Sequence, residues 1–99
     1  MIDKKTSAKG TSVKVTFSLP ADAAQTAAAV VGEFNDWNAE EGAMKLDAKK
    51  SVWTKGVSVK PGASFQFRYL VDGQAWLNDE QADGFVANEF LSQNGVVTV

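Results

Sequence analysis

The only arginine of this chain, Arg68, sits in the segment Phe65-Gln66-Phe67-Arg68-Tyr69-Leu70-Val71-Asp72-Gly73-Gln74-Ala75-Trp76. Alternation along a strand sets Phe65, Phe67, Tyr69 and Val71 on one face and Gln66, Arg68 and Leu70 on the other. Asp72-Gly73 supplies the φ > 0 residues of a hairpin turn. A charged donor facing away from the aromatics, with an indole just past the turn, joins hydrogen bonding to a flat apolar plate. That combination suits a polar ligand with apolar faces, and sugars are such ligands.

The rest of the composition narrows the chemistry. The chain has 99 residues, 44% of them hydrophobic, enough for one compact domain with one core. It holds no cysteine and no histidine. The commonest general base, the commonest metal ligands and the usual nucleophile-base pairs are therefore all missing, so catalysis would have to run on carboxylates. No cofactor or metal is implied, and no disulfide framework exists.

The net charge of -2 hides an asymmetry. Lys4, Lys5, Lys9 and Lys14 lie near the start, whereas no Lys or Arg follows Arg68 and Asp72, Asp79, Glu80, Asp83 and Glu89 do. Nucleic-acid backbones need cations clustered beside the stacking residues, so an acidic, aromatic-rich C-terminal third argues against that partner. Met1-Ile2-Asp3-Lys4-Lys5 lacks the apolar run of a signal peptide, and no stretch approaches membrane-spanning length. The expectation is a cytoplasmic protein without a membrane partner.

Several short strands must position these residues. Residues 1–10 are polar and aperiodic and read as a flexible arm ahead of a single domain over 11–99. Val13, Val15, Phe17 and Leu19 alternate with polar residues up to Pro20. The alanines of 21–29 favour helix, yet they lead into Val-Val-Gly-Glu-Phe; residues 21–25 are read as a connection and 26–33 as a strand. Short strands follow at 44–46, from Trp53 to Val59, at 64–71, at 75–78 and at 96–99, with an irregular stretch from Asp79 to Gln93. About seven to eight short strands with closely spaced turn signals predict an all-β sandwich.

Gly32-Glu33-Phe34-Asn35-Asp36-Trp37, the Pro61-Gly62 turn, Phe67-Arg68-Tyr69-Leu70-Val71-Asp72-Gly73, Trp76 and Asn94-Gly95-Val96-Val97 occur in a telling order. Together they resemble carbohydrate-binding module family 48, which includes the early-set domains of isoamylases and branching enzymes. It also includes the glycogen-binding domain of the AMP-activated protein kinase β subunit. The resemblance runs from about Val13 to Val99 and looks closest to stand-alone bacterial copies. It implies an immunoglobulin-like β-sandwich that binds α-1,4-glucan such as glycogen or starch. By motif match it makes Trp37 and Trp76 the stacking plates, Arg68 a hydroxyl donor, Phe90 the inserting loop residue, and Ser92 and Asn94 the polar residues before the last strand. Two departures stand out: Asp36 replaces an asparagine, and Leu91-Ser92-Gln93 replaces a more glycine-rich loop, so Leu91 is an alternative to Phe90.

A curved glucan exposes C–H faces and carries hydroxyls on its rim, which two aromatic plates with donors between them complement. Aromatic contacts at about 0.5–1.5 kcal/mol and hydrogen bonds at about 1 kcal/mol leave short oligosaccharides held only weakly, with a Kd on the order of micromolar to millimolar.

Each residue also has a structural reading. Trp37 could cap the core from its loop, Trp53 shares a face with Val57 and Val59 and belongs to the core, and Arg68 could pair with a carboxylate across the sheet. Lys55, at inward parity, would bury its stem and reach the edge. Asp79, Glu80 and Asp83 lack a calcium-loop spacing, and a domain this small has little depth for a glycosidase cleft. The reading is a noncatalytic glucan-binding module, monomeric or weakly dimeric. The alternative is a protein-interaction, scaffold or regulatory module serving glycogen-metabolism enzymes without a working sugar site.

Overall fold

In the computed structural model the described residues, 2–79, 81–87 and 93–99, form two antiparallel sheets packed as a sandwich. The strands are β1 (Ile2–Thr6), β2 (Val13–Pro20), β3 (Ala28–Gly32), β4 (Lys45–Asp47), β5 (Val52–Val59), β6 (Ser64–Val71), β7 (Ala75–Leu77), β8 (Gly84–Ala87) and β9 (Gln93–Thr98). One sheet has the order β1-β2-β5-β4, and the other runs β3-β6-β9-β8 with β7 paired to β6. Among the described residues helical structure is confined to 3₁₀ turns at Ala21–Ala23 and Glu33–Asn35. No helix among the described residues is long and apolar enough to cross a membrane.

The alternation read from the sequence is what builds the core. Val13, Val15, Phe17 and Leu19 of β2 face Phe65, Phe67, Tyr69 and Val71 of β6, with Val30 and Val97 beside them. Each such side chain contributes about 1.5–3 kcal/mol on burial. Phe17 meets Phe67 at 5.0 Å and stacks on Phe34 at 5.9 Å, so the Phe of Gly32-Glu33-Phe34 closes one end of the core. Trp53 is buried, as expected, and its Nε1–H donates to the Ala21 carbonyl at 3.2 Å.

Two elements depart from the sequence reading. Within residues 1–10, expected as a flexible arm, Ile2–Thr6 forms a strand paired with β2, Ile2 opposite Phe17 and Thr6 opposite Val13. Lys4 occupies an inward register position at the sheet edge. Its amine reaches across the sandwich to the Asp83 carboxylate at 2.6 Å and the Thr98 carbonyl at 2.9 Å. The stretch read as irregular contains β8, held to β9 by main-chain bonds while Phe85 and Val86 stay exposed. An edge strand tied by backbone bonds and a charged tether needs no apolar alternation, so neither strand announces itself.

Candidate functional site

The outward face of β6 carries Gln66, Arg68 and Leu70, all half-buried. On one flank lies β3, with Val31 opposite Arg68 and Ala29 opposite Leu70. On the other flank two strands run end to end. β9 pairs with Ser64 to Phe67, and β7 pairs with Tyr69 to Val71. Arg68 therefore falls at the junction where β9 gives way to β7, between Asn94 on one side and Trp76 on the other.

Arg68 is held there by stacking. Its guanidinium carbon lies 5.3 Å from the centroid of the Trp76 ring, a cation-π contact, and Trp76 is 47% exposed. Its Nε is buried and has no hydrogen-bond partner among the described residues. A buried charged donor without a partner is costly unless something else supplies an acceptor. The carboxylate partner allowed for in the sequence is not found among the described residues. Beside it the Asn94 side-chain amide donates to Gln66 Oε1 at 3.0 Å.

The hairpin that sets Trp76 opposite Leu70 turns through Asp72 and Gly73, both at positive φ. Asp72 also does something that its turn chemistry does not foretell. Its carboxylate accepts backbone N–H bonds from Gln25, Thr26 and Ala27 and the Thr26 hydroxyl, clamping a distant connection to the hairpin. Those bonds, from Thr26 first and then Gln25, hold its pKa down at about 2.

Trp37 comes from the loop after β3 and is 41% exposed, so it does not act as a buried cap. Asp36 and Trp37 both have left-handed backbone, at φ 53° and 59°. Bulky residues adopt that conformation rarely and only where their surroundings impose it. The imposition is visible. Trp37 N–H donates to the Gly32 carbonyl at 2.9 Å, and buried Asn35 accepts from Gly32 N–H and donates to the Val30 carbonyl. Glu33 accepts from Gln66 N–H at 2.7 Å, tying the loop to β6. Gly42 lies so close to the Val30 carbonyl that a Cβ there would overlap it, which lets the loop return along β3. Within the motif, Phe34 is core and Asn35 is a brace. Because β3 and β7 lie on opposite sides of β6, Trp37 and Trp76 belong to opposite flanks of Arg68.

Of the residues anticipated from sequence, Arg68, Trp76 and Asn94 share the outer surface of the β6 sheet, with Trp37 on the loop at its β3 side. Phe90 and Ser92, and the alternative Leu91, lie outside the described residues. Gln66 had not been singled out, although its parity with Arg68 placed it on the same face. On the inner face, Tyr69 donates to buried Asp79 at 2.7 Å. Burial, then the bond to Asp79, pushes the phenol well above its ordinary range, so it remains a donor. Among the described residues no cluster of acidic side chains could hold a metal ion.

No family model matches this chain, and no curated protein does either.

Proposed function

We propose that the protein is a noncatalytic α-glucan-binding module, akin in kind to carbohydrate-binding module family 48. The observation that carries this reading is Arg68 laid against exposed Trp76, with a buried Nε that has no partner among the described residues. In this reading a glucose unit sets its C–H face on the open part of the Trp76 ring, while Arg68 and the Asn94 and Gln66 amides serve its hydroxyls. Trp37 supplies a second plate from the other flank, while the roles of Phe90 and Ser92 rest on the sequence motif alone. The strained conformation of Trp37 supports a role beyond packing, since an exposed indole repays little of that cost through burial.

No group in this arrangement acts as a nucleophile or base, and the module brings itself or a partner enzyme to glycogen or starch. The rival reading, a docking module for a glycogen-metabolism enzyme, draws on exposed Leu77, Phe85 and Val86. Titration with maltoheptaose or β-cyclodextrin, followed by tryptophan fluorescence, separates the two. The glucan reading expects saturable quenching or enhancement, lost in Trp76→Ala while the far-ultraviolet dichroism is retained. A spectrum unmoved at sugar concentrations of about 10 mM, well above the affinity expected of such contacts, would favour docking.

A further inference from the structure

The outer face of the other sheet carries a depression of ≈360 Å³ lined by Lys14, Thr16, Ala43, Lys45, Thr54, Lys55 and Gly56. Three elements contribute its lysines. Lys14 comes from β2, Lys55 from β5, and Lys45 from β4, where it lies opposite Thr54. Lys55 has inward register, opposite Phe17, but β4 pairs with β5 only as far as Thr54. Beyond that point the edge is open, and the half-buried Lys55 lines the depression from there. Lys5 stands directly opposite Lys14 across the strand pair and adds to the positive field.

Like charges gathered on a small sheet repel one another, and nearby carboxylates normally relieve that. Asp3, opposite Thr16, shares the face. Yet among the described residues none of Lys14, Lys45 and Lys55 forms an ion pair or side-chain hydrogen bond. Gly56 is a second, independent pointer. It sits inside an eight-residue strand, where glycine costs roughly 0.5–1 kcal/mol relative to alanine, and its backbone is not in the left-handed region. What its missing side chain leaves room for is Lys14. A Cβ on Gly56 would come within 2.8 Å of the Lys14 Cε and 3.6 Å of its Nζ. The glycine thus lets Lys14 lie down across the floor of the depression.

We infer that this depression is a binding site for a phosphoryl group, carried either as free phosphate or as a small phosphomonoester. Lysine ammonium groups and threonine hydroxyls are point charges and donors suited to a tetrahedral dianion, and Lys14, Lys45, Lys55, Thr16 and Thr54 all line the depression. Among the described residues no aromatic side chain lines the depression, so none of them offers a nucleobase a stacking plate. The site is on the opposite sheet from Arg68 and does not depend on the glucan reading.

The test is a ¹H–¹⁵N NMR titration of the full chain with inorganic phosphate, with glycerol 3-phosphate, and with sodium chloride at matched ionic strength. Phosphate is expected to shift the Thr16, Thr54 and Gly56 amides saturably, with a Kd on the order of millimolar, and chloride to leave them nearly unmoved. A response to both phosphates assigns the site to phosphomonoesters, and a response to phosphate alone assigns it to the free ion. The K14Q/K45Q double variant is expected to weaken binding at least about five-fold, the loss of two of three point charges. Gly56→Val, which removes no charge but fills the place of Lys14, is expected to weaken it as well. Shifts that do not saturate, that chloride reproduces, or that persist unchanged in both variants would overturn the proposal.

Discussion

The two faces of β6 are made from alternating residues of one strand, yet they are built to different rules. On the inner face Phe67 and Tyr69 are fully buried, their rings meet edge to face at 5.7 Å, and the one polar atom they bring inside donates to Asp79. On the outer face Arg68 carries a buried nitrogen with no partner among the described residues and leans on a half-exposed indole. A packed core satisfies its polar atoms, because leaving one unpaired costs more than the bond is worth. Where a fold leaves such an atom at a surface beside an exposed ring, a ligand arriving from outside could supply the acceptor.

The contrast can be broken from its strongest side first. Phe67→Ala opens a cavity at the centre of the sandwich and is expected to cost about 3–5 kcal/mol in urea denaturation, a large share of the stability of a domain this size. Tyr69→Phe keeps the ring and removes only the donor to Asp79, for an expected loss of about 1–3 kcal/mol. Asp79 retains the Gln81 N–H. Arg68→Met, on the other face, is expected to change stability by less than about 1 kcal/mol while abolishing glucan binding. A large stability loss at Arg68 would show that it is part of the packing after all.

The hairpin that presents Trp76 should carry its own acid signature. Asp72 is ionised in the folded protein down to about pH 2, below the ordinary 3.8 of its carboxyl. Because the folded-state pKa is the lower one, the stabilisation is fully present above the unfolded value and disappears as the pH falls from about 4 to about 2. Urea midpoints of wild type and Asp72→Asn are therefore expected to differ at neutral pH and to converge over that window. A gap that stayed constant with pH would mean that the carboxylate charge plays no part in the clamp.

How much of this was legible depended on whether a residue's neighbours lie near it in sequence. The strands β2, β5 and β6 alternate because each buries one face, and the Arg68–Trp76 pairing follows from a hairpin whose turn residues can be read directly. The sandwich itself follows from the same patterns. Ile2–Thr6 escaped notice because Lys4 fills an inward position through a tether to Asp83, 79 residues away. The clamp by Asp72 on Gln25, Thr26 and Ala27 escaped for the same reason. The basic depression escaped too, since Lys14, Lys45 and Lys55 meet only once three strands are laid side by side. Trp37 was ambiguous in sequence, because a loop tryptophan packs as readily as it stacks; the left-handed backbone that turns it outward is a property of the folded loop.

Because Arg68 is the only arginine, its Nε–H gives a single assignable signal in a ¹H–¹⁵N spectrum, and that signal offers the most direct measurement. The indole N–H of Trp53, already bonded to the Ala21 carbonyl, serves as an internal reference in the core. On titration with maltoheptaose the Arg68 Nε–H and the Trp76 indole N–H are expected to shift together along one saturation curve while Trp53 stays in place. If the Arg68 signal does not move, or moves only with Trp53, the outer face of β6 is not where a glucan binds.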